Sequence, residues 1–161
     1  MNDVTSDPAP TLTQEESLKE AMGKLETALL SPVLSGELES WVQTVQQSAR
    51  GLDQQLQPYI NTVLHAQYKE IAKSDQELLS RVEQMVEEDQ QLVAEYQLFL
   101  SDLDDLARRV PEVKKHESKV AEQRELLSER GVALIIRIRK LQAAAATWLN
   151  EACYRDRGPV D

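Results

Sequence analysis

The sequence predicts an all-α protein, an antiparallel up-and-down four-helix bundle, and three observations support this prediction. The 161-residue chain contains only five Gly, six Pro and one Phe, too few for a turn-rich β-protein. Leu, Ala, Glu, Gln and Lys, which are good helix formers, dominate its composition. Apolar residues also recur at alternating steps of three and four, which is the pattern of a left-handed bundle seam. A coiled-coil scaffold of long paired helices would use the same periodicity and is the alternative.

The first helix is predicted to begin at Thr13 and to end at Pro32. Thr13 and Glu16 have the spacing of a capping box, in which each side chain bonds the backbone N–H of the other residue. Apolar residues follow at helical intervals, at Leu18, Met22, Leu25 and Leu29. Residues 1–12 are polar and contain prolines, so we expect a flexible tail there and a bundle domain over residues 13–158.

The second helix is predicted to begin near Ser35. Its inner face follows residues spaced three and four apart: Leu38, Trp41, Val45, Ala49, Leu52, Leu56 and Val63. Pro58 lies inside this pattern. Because proline removes one backbone donor and clashes with the preceding turn, we expect a kink or a break there. Ser74 and Asp75 then offer caps for the next helix.

The third and fourth helices are the long ones. The third is predicted over residues 76–109, stopped by Pro111, with an inner face of Leu78, Val82, Met85, Asp89, Leu92, Tyr96, Phe99, Leu103 and Leu106. The fourth is predicted from about Val113 to about Tyr154, with an inner face of Val120, Leu127, Leu134, Ile138, Leu141, Ala145, Trp148 and Ala152. Gly131 lies on the same face, where a glycine permits close helix approach or a bend.

Charge and composition restrict the function. The net charge of −10 and the pI near 4.7 argue against non-specific nucleic-acid binding and against adsorption to anionic lipid. The most apolar stretch, residues 132–149, contains three cations, and therefore no transmembrane helix is expected. Cys153 is the only cysteine, which excludes an intramolecular disulfide and a cysteine-based zinc site. The N-terminus lacks the apolar core of a signal peptide, so we expect a cytoplasmic protein.

Asp89 is the unusual residue of the third helix because it interrupts an apolar inner face. A carboxylate facing a bundle core costs several kcal/mol of desolvation unless it is paired or protonated. One interpretation is a weak metal-binding or small-ligand site with neighbours such as Glu88, Tyr59 or Tyr96. The other is that Asp89 reaches water at the edge of the seam, or pairs with a buried arginine, and specifies helix register.

Two segments resemble the bacterial hemerythrin-like (HHE) family. The last helix resembles the family's C-terminal signature, roughly His-Glu-x-x-Glu-Asn-x-Leu-Leu-x-Glu-Ala-x-Tyr-x-Asp-x-Gly. The residues that match its structural half are Glu151, Ala152, Tyr154, Asp156 and Gly158. Residues 81–92 resemble a second family pattern, Arg-Val-x-x-Leu-x-x-Glu-His-x-x-Leu, in which Asp89 stands at the ligand histidine.

The resemblance implies a hemerythrin-type bundle whose relatives bind oxygen or a related small molecule at a non-haem di-iron site. The family's C-terminal His and Glu ligands correspond to Leu141 and Ala145 here, so with Asp89 these are vestigial ligand positions. The family's first motif, His-Phe-x-x-Glu-Glu, corresponds to residues 56–63, which contain neither histidine nor carboxylate. We therefore expect no bound metal and no cofactor.

Other catalytic chemistry is equally sparse. His65 and His116, the only histidines, lie in polar segments and are predicted to be surface residues. Cys153 has no nearby histidine in sequence, and a packed structural cysteine is the simpler interpretation. Phosphate-binding loops and nucleophile-elbow motifs do not occur in the sequence.

The sequence therefore predicts a non-enzymatic interaction or structural module. Its partner would be an unknown protein or a second copy, with neither nucleic acid nor membrane. The alternatives are a residual metal or small-ligand binder centred on Asp89 and an unrelated coiled-coil scaffold.

Overall fold

The computed structural model describes residues 13–111 and 117–156, which form four helices and no strand. The second of these helices is interrupted, so we number five α-helical segments. They are α1 (Gln14–Leu30), α2 (Leu38–Tyr59), α3 (His65–Ser74), α4 (Leu79–Arg109) and α5 (Glu117–Asp156). The all-α class predicted from the sequence is confirmed for the described residues. The predicted tail over residues 1–12 and the residues after Asp156 lie outside them.

The ends of α1 follow the local sequence signals. The Glu16 amide donates to Oγ1 of Thr13 at 3.2 Å, and the Thr13 amide donates to Oε2 of Glu16 at 3.1 Å. This reciprocal pair is the predicted capping box. The helix ends at Leu30, immediately before the extended residue Ser31 that precedes Pro32.

The second helix begins three residues later than predicted. Gly36 has a φ of +85°, a conformation that suits glycine, and the Glu37 amide donates to the Leu34 carbonyl at 3.1 Å. The resulting turn delays the start of α2 to Leu38.

Pro58 lies inside α2, where the sequence predicted a kink or a break, and the chain leaves α-helical geometry directly after it. Residues Ile60–Leu64 form a π-helical turn, in which the His65 amide donates to the Ile60 carbonyl five residues back. The helix then resumes as α3. A short 3₁₀ turn, Gln76–Leu78, precedes α4, and Oδ1 of Asp75 caps it by accepting from the Glu77 amide at 3.0 Å.

The long helices α4 and α5 lie on either side of Pro111 in the sequence. α4 ends at Arg109, as predicted. α5 is described from Glu117 onward, so the predicted start near Val113 lies outside the described residues. In the described part of the chain, no helix is both long enough and apolar enough to span a membrane.

The core lies between the inner faces that the periodicity identified. α1 packs on α2 and α5, α4 packs on α2 and α5, and α3 packs on α4 and α5. Gly131 is buried on α5, and a Cβ atom there would lie 2.5 Å from Cδ1 of Leu29 and 3.0 Å from Cζ of Phe99. Of the two roles expected for this glycine, the structure shows the close approach.

Candidate functional site

Asp89 lies in the core of the protein. It sits on the inner face of α4 between Met85 and Leu92, and only 3% of it is exposed. Among the described residues it is the only buried charged side chain. The expectation that Asp89 reaches water at the edge of the seam is therefore wrong, because three other helical segments cover the inner face of α4.

Tyr68 of α3 is the partner of Asp89. Its hydroxyl donates to Oδ2 of Asp89 at 2.7 Å, and Tyr68 is itself buried. The expectation of a buried arginine partner is also wrong. Arg81, on the same helix, instead donates to Gln84 at 2.9 Å, and its guanidinium lies 5.5 Å from the centre of the Trp148 ring.

The π turn decides which residue of the second helix faces Asp89. A π turn contains one residue more than an α-helical turn. After Tyr59, the positions that face the core therefore lie one residue later in the sequence than regular helical spacing predicts. Leu64 is buried in place of the predicted Val63, which is only partly buried. The same advance carries Tyr68 and Ile71 into the core, although their segment reads as polar in the sequence.

Burial dominates the ionisation of this pair. Desolvation raises the pKa of Asp89 to about 6, the hydrogen bond from Tyr68 opposes that rise, and the nearby charge of Glu88 adds to it. Burial also raises the pKa of Tyr68, and the carboxyl of Asp89 raises it further. The Asp89 carboxyl can therefore exchange one proton near pH 6 within an otherwise apolar interior.

A second tyrosine approaches the same cluster from α2. Burial raises the pKa of Tyr59, a polar interaction with Gln142 of α5 opposes the shift, and Glu15 and Asp89 add to it. The charge of Asp89 on α4 thus affects the ionisation of tyrosines on both α2 and α3.

One oxygen of Asp89 has no partner. Oδ1 is buried and accepts no hydrogen bond from the described residues. A buried acceptor without a donor costs free energy, typically about 1–3 kcal/mol. Oδ1 is therefore the unsatisfied atom of this buried pair.

The remaining site predictions have separate outcomes. Leu141 and Ala145 are both buried within the apolar core. The hydroxyl of Tyr96 donates to the Ala49 carbonyl at 2.5 Å and is therefore committed to α2 rather than to Asp89. In the described part of the chain, no group of three or more His, Cys, Asp or Glu side chains is placed to hold a metal ion.

The predictions for the isolated histidines and the cysteine have separate outcomes. His65 is exposed, as predicted, and His116 lies outside the described residues. The prediction of a packed Cys153 is wrong, since its side chain is exposed. Ala152 takes the inner position of α5, and the next residue is rotated by about 100° toward solvent.

The C-terminal signature is only partly a packing signature in this chain. Ala152 is fully buried, whereas Tyr154 is 75% exposed and forms no part of the core. Gly158 lies outside the described residues.

A groove between α4 and α5 is the second feature of interest, and we call it the α4–α5 groove. It consists of two adjoining depressions of about 250 and 300 Å³ that share Arg130. Leu98 on its α4 side is 62% exposed, and Leu126 on its α5 side is 59% exposed. Ion pairs cross it between Asp102 and Arg130 and between Glu95 and Arg137.

Sequence reasoning missed both Tyr68 and the groove. Tyr68 could have been found by continuing the inner face beyond Pro58 with one extra residue, which places a tyrosine opposite the third helix. Leu98 and Leu126 carried the simpler signal of leucines lying off the inner face of their helices.

Comparisons with protein-family models, curated proteins and solved structures found no match to this chain.

Proposed function

We propose that this chain is an antiparallel up-and-down four-helix bundle of the hemerythrin-like type that has no di-iron site and serves as a protein-interaction module. The single observation that carries the interaction role is the α4–α5 groove with its two exposed leucines. The proposal has three parts, which are the topology, the vacated metal site and the surface.

Contacts between helices support the proposed topology. In each helix pair, a residue later in one helix contacts a residue earlier in the other, as antiparallel neighbours do. The pairs are Glu95–Arg137 and Asp102–Arg130 between α4 and α5, and Gln46–Asp104 and Asp53–Gln97 between α2 and α4. Gln14 likewise contacts Thr62, at opposite ends of α1 and of the second helix.

Packing supports the loss of the metal site. Leu141 and Ala145, the positions of two family ligands, belong to the apolar core. Asp89, the position of a third, has its Oδ2 occupied by the Tyr68 hydroxyl. A di-iron site instead needs several carboxylates and imidazoles converging from facing helices.

The groove supports an interaction role because it combines exposed apolar area with charged rims. Both leucines are more than half exposed, and removing their apolar surface from water would be favourable by roughly 25 cal/mol for every Å². Scattered exposed leucines need no explanation, but Leu98 and Leu126 lie along the same groove. An apolar centre with a charged rim is the usual anatomy of a protein–protein contact.

Site-specific photo-crosslinking tests this role. A photoreactive amino acid at position 98 or 126 should yield covalent adducts with a polypeptide in cells. The same amino acid at position 34 is the matched control, because Leu34 is 63% exposed and lies outside the groove. Equal adduct formation at all three positions, or none at any, would contradict the proposal.

A residual metal or small-ligand site at Asp89 is the second candidate, favoured by the unpartnered Oδ1. Elemental analysis of protein expressed with added iron and purified without chelator distinguishes the two. Iron or manganese at one or two atoms per chain would overturn the metal-free proposal. A metal-dependent rise in Tm that Asp89→Ala abolishes would assign the site to this carboxyl.

A further inference from the structure

We infer that the α4–α5 groove binds a second copy of this chain, as a two-fold dimer whose axis runs parallel to the two helices. This inference rests on the proposed interaction function and names its partner. Three features of the groove support it: the balance of its charges, the positions of its ion pairs along the helix axes, and the space around Ala133.

The groove is electrically balanced in a strongly acidic protein. Its lining includes three acidic residues and three arginines: Glu95, Asp102, Asp105, Arg109, Arg130 and Arg137. The whole chain carries a net charge of −10. Two copies approaching through this groove therefore avoid the like-charge repulsion that the rest of the acidic surface would impose.

The rims of the groove carry opposite signs over much of its length. The acidic residues Glu95, Asp102 and Asp105 lie on α4, whereas Arg130 and Arg137 lie on α5. The ion pairs show that Glu95 is level with Arg137, and Asp102 with Arg130. A two-fold rotation about an axis parallel to the helices places α4 of one copy over α5 of the other at the same height.

Each ion pair of one copy then meets the same pair of the second copy with the signs reversed. The result is two squares of alternating charge, one of which contains Glu95 and Arg137 from both copies. In such an isologous contact one patch of surface is its own complement. Arginines and carboxylates in alternating arrangement favour this register over others.

The apolar shape of the groove fits the same axis. Leu98 lies on α4 between Glu95 and Asp102, and Ala133 lies on α5 between Arg130 and Arg137. The same rotation thus places the Leu98 side chain of one copy over Ala133 of the other. Ala133 lines the depression of about 300 Å³, where a small side chain leaves room for a leucine.

Analytical ultracentrifugation of the full chain tests the inference. The wild-type protein should dimerise reversibly as its concentration rises through the micromolar range. Leu98→Glu should weaken dimerisation at least about tenfold, because two carboxylates would be buried at the contact. Leu34→Glu is the matched control and should dimerise like the wild type.

Reversal of the rim charges tests whether the α4–α5 groove is the dimer contact. The double variant R130E/R137E carries acidic residues on both rims, and E95R/D102R carries arginines on both rims. Each should be monomeric alone, and a mixture of the two should form a heterodimer. Circular dichroism checks that both variants fold, which is expected because exposed ion pairs contribute little to stability.

The outcomes separate this inference from the proposed function. A wild-type protein that stays monomeric up to a concentration on the order of 1 mM would overturn the dimer. If crosslinking from position 98 then captured a different polypeptide, the interaction function would stand with another partner. If the mixture of charge variants stayed monomeric while the wild type dimerised, the α4–α5 groove would not be the dimer contact.

Discussion

Gly131 of α5 lies directly against Leu29 of α1, so closely that the space for a methyl group is already filled. A Cβ atom on Gly131 would lie 2.5 Å from Cδ1 of Leu29, well inside the usual carbon–carbon contact of about 3.5–4.0 Å. Both residues are buried, and Cζ of Phe99 closes the same space from α4. The absent side chain is what allows α1 and α5 to pack at this distance.

Gly131→Ala should therefore destabilise the protein. Alanine gains about 1 kcal/mol of helix propensity, but overpacking a filled core costs about 1–3 kcal/mol. We expect a net loss of about 1 kcal/mol in the free energy of unfolding, measured by urea denaturation. Gly51→Ala is the matched control: a Cβ there meets nothing within 4 Å, so the variant should gain up to about 1 kcal/mol.

Asp89→Asn should make the protein more stable relative to the wild type as the pH rises from 4 to 6. Burial raises the pKa of Asp89 from its ordinary value of 3.8 to about 6. The unfolded chain therefore loses this proton at a lower pH than the folded protein does. The contribution of Asp89 to the free energy of unfolding is fully present below pH 3.8, decreases between pH 3.8 and 6 and is constant above pH 6. The difference corresponds to about 3 kcal/mol at neutral pH.

Urea unfolding of both proteins at several pH values measures that difference. The other carboxyl groups titrate in both proteins, and their contributions cancel in the comparison. A gap between the two unfolding free energies that did not change from pH 4 to pH 7 would show that Asp89 titrates at its ordinary value in the folded protein.

Deletion of Asn61 should be tolerated. The π turn contains one extra residue, so removing this exposed asparagine converts Ile60–Leu64 to regular α-helix and leaves Tyr68 and Ile71 facing inward. We expect the unfolding free energy to change by less than about 2 kcal/mol.

Deletion of Gln54 is the matched control for that experiment, because this residue is also polar and exposed but lies in regular helix. Its removal rotates the following helix by about 100° and turns Leu56 away from the core. Loss of more than about 4 kcal/mol is expected. Similar melting curves for the two deletion variants would contradict the one-residue insertion.

Tyr96→Phe should cost about 1 kcal/mol. The substitution removes the hydrogen bond from the tyrosine hydroxyl to the Ala49 carbonyl and keeps the ring, which lies 5.8 Å from the ring of Phe99. Because Ala49 lies within α2, its carbonyl still has an intrahelical donor. Leu92→Ala, at a fully buried position on the same face of α4, should cost about 2–5 kcal/mol. Thermal and urea unfolding measure both values.

Spacing alone identified most of the core because three of the four helices are regular. On α4 every residue of the predicted inner face is buried, from Leu78 to Leu106. On α5 the exception is Trp148, which is only partly buried and lies beside the Arg81 guanidinium, whereas Ala152 after it is fully buried. The spacing of apolar residues was sufficient to predict the core wherever regular α-helical geometry continued without interruption.

The candidate site was harder to predict because it depends on a change of helix geometry. Pro58 announced an irregularity, but a kink, a break and a π turn are all consistent with its missing N–H. Only the π turn advances the face by one residue and brings Tyr68 to Asp89. That choice is made by packing between distant segments, which a local sequence pattern does not contain.

The unequal lengths of the helices affect how many helices surround the buried carboxyl of Asp89. α1 has 17 residues and α5 has 40, so they extend about 26 Å and 60 Å. α1 packs along α2, whereas α3 packs on α4 and α5. Among the described residues, the cross-section of the proposed bundle thus decreases from four helices to three beyond the first residues of α1, and Tyr68, the partner of Asp89, lies in the three-helix part.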